Sequence, residues 1–208
     1  MTIERRLRIE PLTPERWPDL EALFGPGGAA YGCWCMDFRR TSAEMAHSKA
    51  SDNRADLRSL AAADPAPGLL AYERDVAVGW VGLGPRSTFP RLVRSRTLTA
   101  VDDRPTWSIV CFYVARERRG EGIARALLDG AIAYAEAHGA PLIEGYARDA
   151  AAAAEATEPA ATRLPADYAY PGTVALFAQA GFQEAARYEP TGSGRTARVT
   201  MRRELGPG

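Results

Sequence analysis

The segment Val114-Ala-Arg-Glu-Arg-Arg-Gly-Glu-Gly-Ile-Ala-Arg125 decides the fold. It follows an apolar run, Trp107-Ser-Ile-Val-Cys-Phe-Tyr-Val114, whose β-branched and aromatic residues predict a buried strand. It leads into 123–138, where Ile123, Leu127, Leu128, Ala131, Ile132 and Ala135 fall on one face of a helix. The element is strand, glycine-bearing turn, helix. Gly120 and Gly122 let backbone N–H groups approach a ligand with no Cβ in the way. Those donors belong to a helix N-terminus, where unpaired N–H groups and the dipole both favour an anion. Arg116, Arg118, Arg119 and Arg125 add positive charge around the same spot. The expected occupant is a phosphate ester; the bland alternative is a tight turn with a solvated Arg cluster.

Two common phosphate motifs fail here. A dinucleotide fingerprint needs Gly or Ala where this chain has Arg125, and no G-x-x-x-x-G-K-[ST] run exists. Outward from the turn, Gly139 caps the helix and residues 141–146 predict a second strand. Strand, helix and strand then form a right-handed βαβ unit with parallel strands. Upstream, 68–73 and 76–83 flank Arg74-Asp75 and predict a β-hairpin. A first strand is expected over 3–11. A helix over 13–24 follows, with Thr13 as N-cap and Pro14 at its first position. A further helical region is expected over 42–63 and an irregular connection over 85–103. Residues 29–38 are dense in aromatics and sulfur but have no clean period. Downstream, 148–169 is an Ala- and Pro-rich insertion, read as a mobile loop or one marginal turn of helix. A helix from Pro171 to Ala180 ends in Gly181-Phe182, and strands over 182–188 and 195–202 close the chain.

The 208 residues suffice for one domain with a proper core, read as 1–208 with no linker. Acidic and basic residues balance at 26 each, so neither nucleic acid nor membrane is an expected partner. The charged opening Met-Thr-Ile-Glu-Arg-Arg has no signal-peptide core and no apolar run approaches a membrane span, so a cytoplasmic location is expected. Three cysteines do not make a disulfide framework. Cys33 and Cys35, with Cys111 and His47, lack the spacing of a four-ligand zinc site, and no metal is expected.

The turn Arg119-Gly-Glu-Gly122-Ile-Ala124 after a strand ending in Val resembles the acetyl-CoA pyrophosphate loop of the GCN5-related N-acetyltransferases (GNAT). A second landmark of that family agrees: a helix ending in Gly-Phe, here Leu176-Phe-Ala-Gln-Ala-Gly-Phe182. The order of elements from about residue 68 to 203 is similar too. The resemblance implies an α/β (α+β) single domain, with a mixed, mostly antiparallel sheet, a central parallel strand pair and flanking helices. It implies acetyl-CoA as co-substrate. Phe112, Tyr113 and Val114 would meet the pantetheine arm, with a backbone N–H near Val114 holding the oxyanion. Arg119, Gly120, Gly122, Ile123, Ala124 and Arg125 would surround the pyrophosphate, and Phe177 would border the same cofactor site. The thioester would enter a gap between the parallel strands.

One departure concerns the acid. Four residues before Gly181 many family members carry a Tyr that protonates the leaving thiolate; here stands Phe177, which has no proton to give. Tyr170, two helical turns earlier, or Tyr168 could supply a hydroxyl, or could simply pack at the helix start. For the base, Glu144 is the odd residue on an otherwise apolar strand, where burying an acid is costly. It is the leading base candidate, with the alternative that it pairs with an Arg near the sheet end. Asp149, Asp167 and Glu73 are weaker candidates. Tyr31, Trp34, Met36 and Phe38 read as an aromatic lip over the acceptor site or as a loop packed into the core. Tyr31, Trp34 and Trp107 are the candidate acceptor contacts.

The expected activity is direct transfer of acetyl from acetyl-CoA to an amine of a small molecule. Two rival readings remain open: a catalytically silent CoA-binding sensor or partner module, and an acetyltransferase of protein N-termini or lysines. An edge strand near the C-terminus offers a route to a homodimer. The sequence names neither the acceptor amine nor the length of the acyl group.

Overall fold

The computed structural model of the chain describes residues 7–149, 171–189 and 197–206. Seven strands form one sheet: β1 (Leu7–Pro11), β2 (Gly68–Glu73), β3 (Val76–Pro85), β4 (Trp107–Val114), β5 (Leu142–Arg148), β6 (Gln183–Tyr188) and β7 (Arg198–Glu204). Their order is β1-β2-β3-β4-β5-β7-β6. Every neighbouring pair is antiparallel except β4 and β5, which are parallel and joined through helix α5 (Ile123–Ala137). The expected mixed sheet with a central parallel pair is therefore present.

The sheet is covered on both faces. On one, α5 buries Ile123, Leu127, Leu128, Ala131, Ile132 and Ala135, the stripe read from its 3.6-residue period. Each Leu or Ile so buried contributes about 1.5–3 kcal/mol relative to exposure. Helix α6 (Val174–Gln179) adds Phe177 to the same core. On the other face, α1 (Trp17–Phe24) and α3 (Ala50–Leu60) pack Trp17, Leu20, Phe24 and Leu57 against Leu70, Tyr72 and Trp80 of the hairpin. The short helices α2 (Ser42–His47) and α4 (Pro90–Val93) complete the described elements.

Several boundaries differ from expectation for local reasons. The helix expected over 13–24 begins as a 3-10 turn at Pro14–Arg16, and Thr13 caps nothing with its side chain. The region 42–63 breaks at Ser48 and Lys49, because a Thr41–Glu44 capping box starts α2 and a backbone contact from Lys49 to Asp52 starts a second helix. The connection over 85–103, expected to be irregular, holds α4. The insertion over 148–169 lies almost wholly outside the described residues, as do Tyr168, Tyr170 and Asp167.

Two irregularities shape the centre of the sheet. The rungs Gly82–Cys111 and Leu83–Ile109 skip Val110, so β4 carries a one-residue bulge there. Ladder rungs join β4 to β5 only at Trp107–Ile143, Ser108–Glu144 and Ile109–Gly145. Past Ile109 the described strands share no rung: β4 stays with β3 and β5 stays with β7. The parallel pair thus opens at its C-terminal end.

Candidate active site

Where the parallel pair opens, a cavity lies on each face of the sheet. The first, of about 400 Å³, lies on the α5 face. Its wall contains Phe112 and Val114 of β4, the turn residues Arg118, Arg119, Gly120 and Gly122, Ile123, Ala124 and Arg125 of α5, and Leu176 and Gln179 of α6. Gly120 and Gly122 have φ of +84° and +81°, a left-handed backbone that other residues adopt at a cost. A Cβ built on either would meet nothing within 4 Å, so the space above the turn is open. Gly122 is the N-cap of α5 and brings no side chain to its first-turn N–H groups. Uncapped donors, the helix dipole and three arginines converge on this cavity, a cradle for a phosphate.

Those arginines are held rather than loose. Arg118 pairs with Glu121 at 2.8 Å and Glu73 at 2.8 Å. Arg125 spans Asp129 at 2.9 Å and the Gln179 carbonyl at 2.9 Å, tying α5 to α6. Arg119 donates to the Val114 carbonyl at 3.3 Å. Glu73, a weaker base candidate, is thus an ion-pair partner behind the turn.

The second cavity, of about 260 Å³, lies on the opposite face, against the loop before α2. Tyr31, Cys33, Cys35, Asp37, Phe38, Val110, Cys111, Arg148 and Arg198 stand in its wall. The bulge at Val110 explains why Val110 and Cys111 both face this side while Ile109 and Phe112 face α5. Cys35 and Cys111 Sγ atoms are 3.4 Å apart although 76 residues separate them. The Cys35 side-chain contact draws the Cys33 thiol down to about 6, while burial pushes Cys35 well up. Asp37 is ion-paired with Arg91.

Under this cavity a polar network crosses the closed part of the sheet. Glu144 is 1 % exposed and receives Arg202 through Nε at 2.8 Å and Nη2 at 2.6 Å. Its other oxygen accepts from the Tyr146 hydroxyl at 3.2 Å and lies 3.8 Å from Arg86. Arg86 donates to Tyr146 at 2.5 Å, and Ser108 Oγ lies 2.7 Å from the same hydroxyl. Burial, and next the Glu144 charge, push the Tyr146 hydroxyl well above its usual range. Arg202 also holds Asp102 at 2.5 Å, well below the usual carboxylate range.

The residues named from sequence separate accordingly. Phe112, Val114, Arg119, Gly120, Gly122, Ile123, Ala124 and Arg125 meet around the first cavity, joined by Arg118, Leu176 and Gln179. Tyr113 faces away, its ring 5.3 Å from that of Phe24. Phe177 has no exposed surface and stands in neither cavity wall; it fills the core behind the gap, against Gly145 and 6.1 Å from the Phe112 ring. Tyr31, 91 % exposed, stands at the second cavity. Trp34 does not: it is 4 % exposed and stacks on Trp17 at 6.0 Å. Trp107 lies on the α5 face against Tyr134 and His138. Of the expected aromatic lip, Tyr31 is exposed, while Trp34, Met36 and Phe38 pack inward. Asp149 pairs with Arg187 at 2.6 Å. Glu144 stands in the wall of neither cavity. Arg148 and Arg198, which sequence reading passed over, meet only because β7 folds back on β5.

A mixed sheet split at its parallel pair, with an anion cradle on one face and a pocket on the other, defines an acyltransferase fold. The model of the Acetyltransferase (GNAT) family matches residues 34–157, and the chain belongs to that family. Solved structures with the same fold include a GNAT-family acetyltransferase of Streptococcus pneumoniae (16 % identity, TM-score 0.53, covering 97 % of this chain and 100 % of that one). Another is the ribosomal-protein-alanine N-acetyltransferase of Brucella melitensis (20 %, 0.55, 95 % and 99 %). A third is yncA of Salmonella typhimurium, a putative acetyltransferase solved with its cofactor acetyl-CoA (17 %, 0.53, 96 % and 94 %). No curated protein sequence matches the chain. No helix among the described residues is long and apolar enough to cross a membrane.

Proposed function

We propose that this protein transfers an acetyl group from acetyl-CoA directly to the amine of a small molecule. The observation that carries the reading is the pair of cavities set back to back across β4, one with an open, uncapped helix N-terminus. Arg119, Gly120, Gly122, Ile123, Ala124 and Arg125, with Arg118, fit a pyrophosphate through N–H groups and side-chain charge. The β5-facing edge of β4 beyond Ile109 leaves backbone groups for an amide-bearing arm such as pantetheine. Acetyl-CoA supplies an activated acyl thioester. An acetyltransferase structure with acetyl-CoA bound shares this fold, which supports that donor.

The acceptor amine enters from the second cavity, whose volume of about 260 Å³ suits a small molecule better than a polypeptide segment. As its nitrogen bonds to the acyl carbon, the carbon–sulfur bond breaks and the amine sheds a proton. Asp37 is a carboxylate in that cavity's wall and takes the proton directly or through water. Glu144, committed to Arg202 and Tyr146, anchors the sheet under the pocket rather than exchanging protons. A thiol has a pKa near 8.5, roughly, so the thiolate leaves without an obligatory acid. Phe177 also favours a second reading, a CoA-binding module without turnover. Release of free thiol from acetyl-CoA in the presence of amine panels separates the two: binding with no thiol release for any amine supports the silent module.

A further inference from the structure

Resting on the acetyltransferase reading above, we infer that Cys35 and Cys111 form a reversible disulfide, made by way of Cys33, that shuts the acceptor-side cavity under oxidation. The chain has three cysteines, and all three are free thiols in the wall of that one cavity. The Cys35 and Cys111 Sγ atoms are 3.4 Å apart and need close by only about 1.4 Å to reach bonding distance. Cys35 lies on the loop before α2 with φ of +54°, a backbone that residues other than glycine adopt at a cost. Cys111 lies on β4, two residues past the last β4–β5 rung at Ile109. A bond between them ties that loop to the central strand beside the gap.

Oxidation does not start at the two sulfurs that end up joined. Cys35 is 4 % exposed, and burial pushes its thiol well up, so it stays protonated. Cys33 is half-buried and is the nucleophile: contact with the Cys35 side chain, helped by backbone contacts of Cys35 and Ala30, holds it as thiolate. A peroxide entering the cavity is the oxidant. The Cys33 thiolate attacks one peroxide oxygen, an S–O bond forms, the O–O bond breaks and hydroxide leaves. The Cys35 thiol then attacks the Cys33 sulfenic acid; the S–S bond forms as the S–O bond breaks, and water departs with the Cys35 proton. Cys111 yields its proton to the hydroxide, attacks the Cys35 sulfur and releases the Cys33 thiolate. Two thiols are oxidised, one peroxide is reduced to two waters, and Cys33 is regenerated. The thiol of lowest pKa is the best leaving group, so exchange comes to rest with Cys33 free. The cross-link draws the loop and β4 together across the acceptor side, and a misplacement of about 1 Å near reacting atoms costs up to about 10²-fold in rate. No cysteine stands in the wall of the phosphate cradle, so the donor side is spared.

The test treats the full chain with hydrogen peroxide, removes the peroxide and counts thiols after denaturation. Of the three thiols one should remain, peptide mass spectrometry should place the bond between Cys35 and Cys111, and dithiothreitol should restore all three. Acetylated product is then followed by mass spectrometry with an amine that the reduced protein turns over. Its initial rate should fall about tenfold or more on oxidation and recover on reduction, while calorimetry shows acetyl-CoA binding kept within about twofold. Cys33→Ser separates the cross-link from oxidation of Cys33 itself. It should cross-link about tenfold or more slowly, and once cross-linked should lose turnover relative to its own reduced form, as the wild type does. No bond, a final bond that retains Cys33, cross-linking of Cys33→Ser at the wild-type rate, full amine turnover by cross-linked protein, or equal loss of acetyl-CoA binding would each overturn the inference. The transferase reading fails at a different step. Reduced protein that binds no acetyl-CoA or turns over no amine contradicts that reading before oxidant is added, and takes the control of turnover with it.

Discussion

Cys111 and Phe112 are adjacent in β4, yet they wall two different cavities, one on each face of the sheet. The one-residue bulge at Val110 sets which side each takes, and the loss of β5 rungs beyond Ile109 opens the sheet beside them. On the proposed reading the strand is the partition between donor and acceptor, and the gap next to it is where they would meet.

The buried network under the acceptor cavity is expected to serve stability. Glu144→Ala leaves Arg202 and Arg86 without their buried carboxylate, and removing one partner of such a pair costs about 3–5 kcal/mol. Chemical denaturation should show that loss. The conservative Glu144→Gln should lose less, and its folded fraction should keep the wild-type pH profile of kcat/KM. A Gln variant of wild-type stability with a flattened profile would reinstate Glu144 as the base.

Phe177 should not accept the hydroxyl that the family resemblance implies at this position. Its ring tip abuts Gly145 so closely that a Cβ there would sit 2.1 Å from Cζ. Phe177→Tyr places an oxygen into that contact, and overpacking of this kind costs about 1–3 kcal/mol. Thermal unfolding should show a lower Tm with no gain in kcat. A faster, equally stable Tyr variant would mean that the leaving thiolate does need a proton from this position.

Cys33 should be the reactive thiol of the acceptor cavity. Its value of about 6 lies below that of an ordinary thiol, so the thiolate already dominates at pH 7. Alkylation by iodoacetamide, followed site by site by mass spectrometry, should rise through pH 6 and level off above pH 7. Cys35, pushed the other way by burial, should stay unmodified over that range. Alkylated protein should retain acetyl-CoA binding and lose amine turnover, because Cys33 stands on the acceptor side alone. Modification that tracks an ordinary thiol curve would contradict the assignment.

The glycine turn proposed as the donor side was legible in the chain because it is local. A strand, two glycines and an amphipathic helix are contiguous, and their chemistry follows from backbone geometry that spacing reveals. The acceptor side is not contiguous. Residues 29–38 show no period because Ala29, Tyr31, Trp34 and Cys35 all take positive φ, a backbone with neither helical nor strand repeat. Trp34 therefore turns into the core, as the packed-loop alternative for this stretch has it and the aromatic-lip alternative does not. The facing of Trp107 depends on α5 covering its side of the sheet. Arg148 and Arg198 are 50 positions apart and become a pair only through the β5–β7 register. Glu144 was recognisable as an anomaly on an apolar strand, and sequence alone left pairing with an unnamed Arg near the sheet end as one alternative among two; the β5–β7 register makes that Arg Arg202.

The most direct test of the account is calorimetric titration of acetyl-CoA into the wild type and Ala124→Glu. Ala124 lies in the first turn of α5 within the cradle wall. A carboxylate there suits the helix dipole, so the fold should hold, but it sets a negative charge against the pyrophosphate. The wild type should bind with about micromolar Kd, roughly −8 kcal/mol, weakened at least about tenfold in the variant at unchanged Tm. No binding to the wild type, or equal binding to both proteins, would contradict the placement of the donor at the Arg119–Arg125 turn.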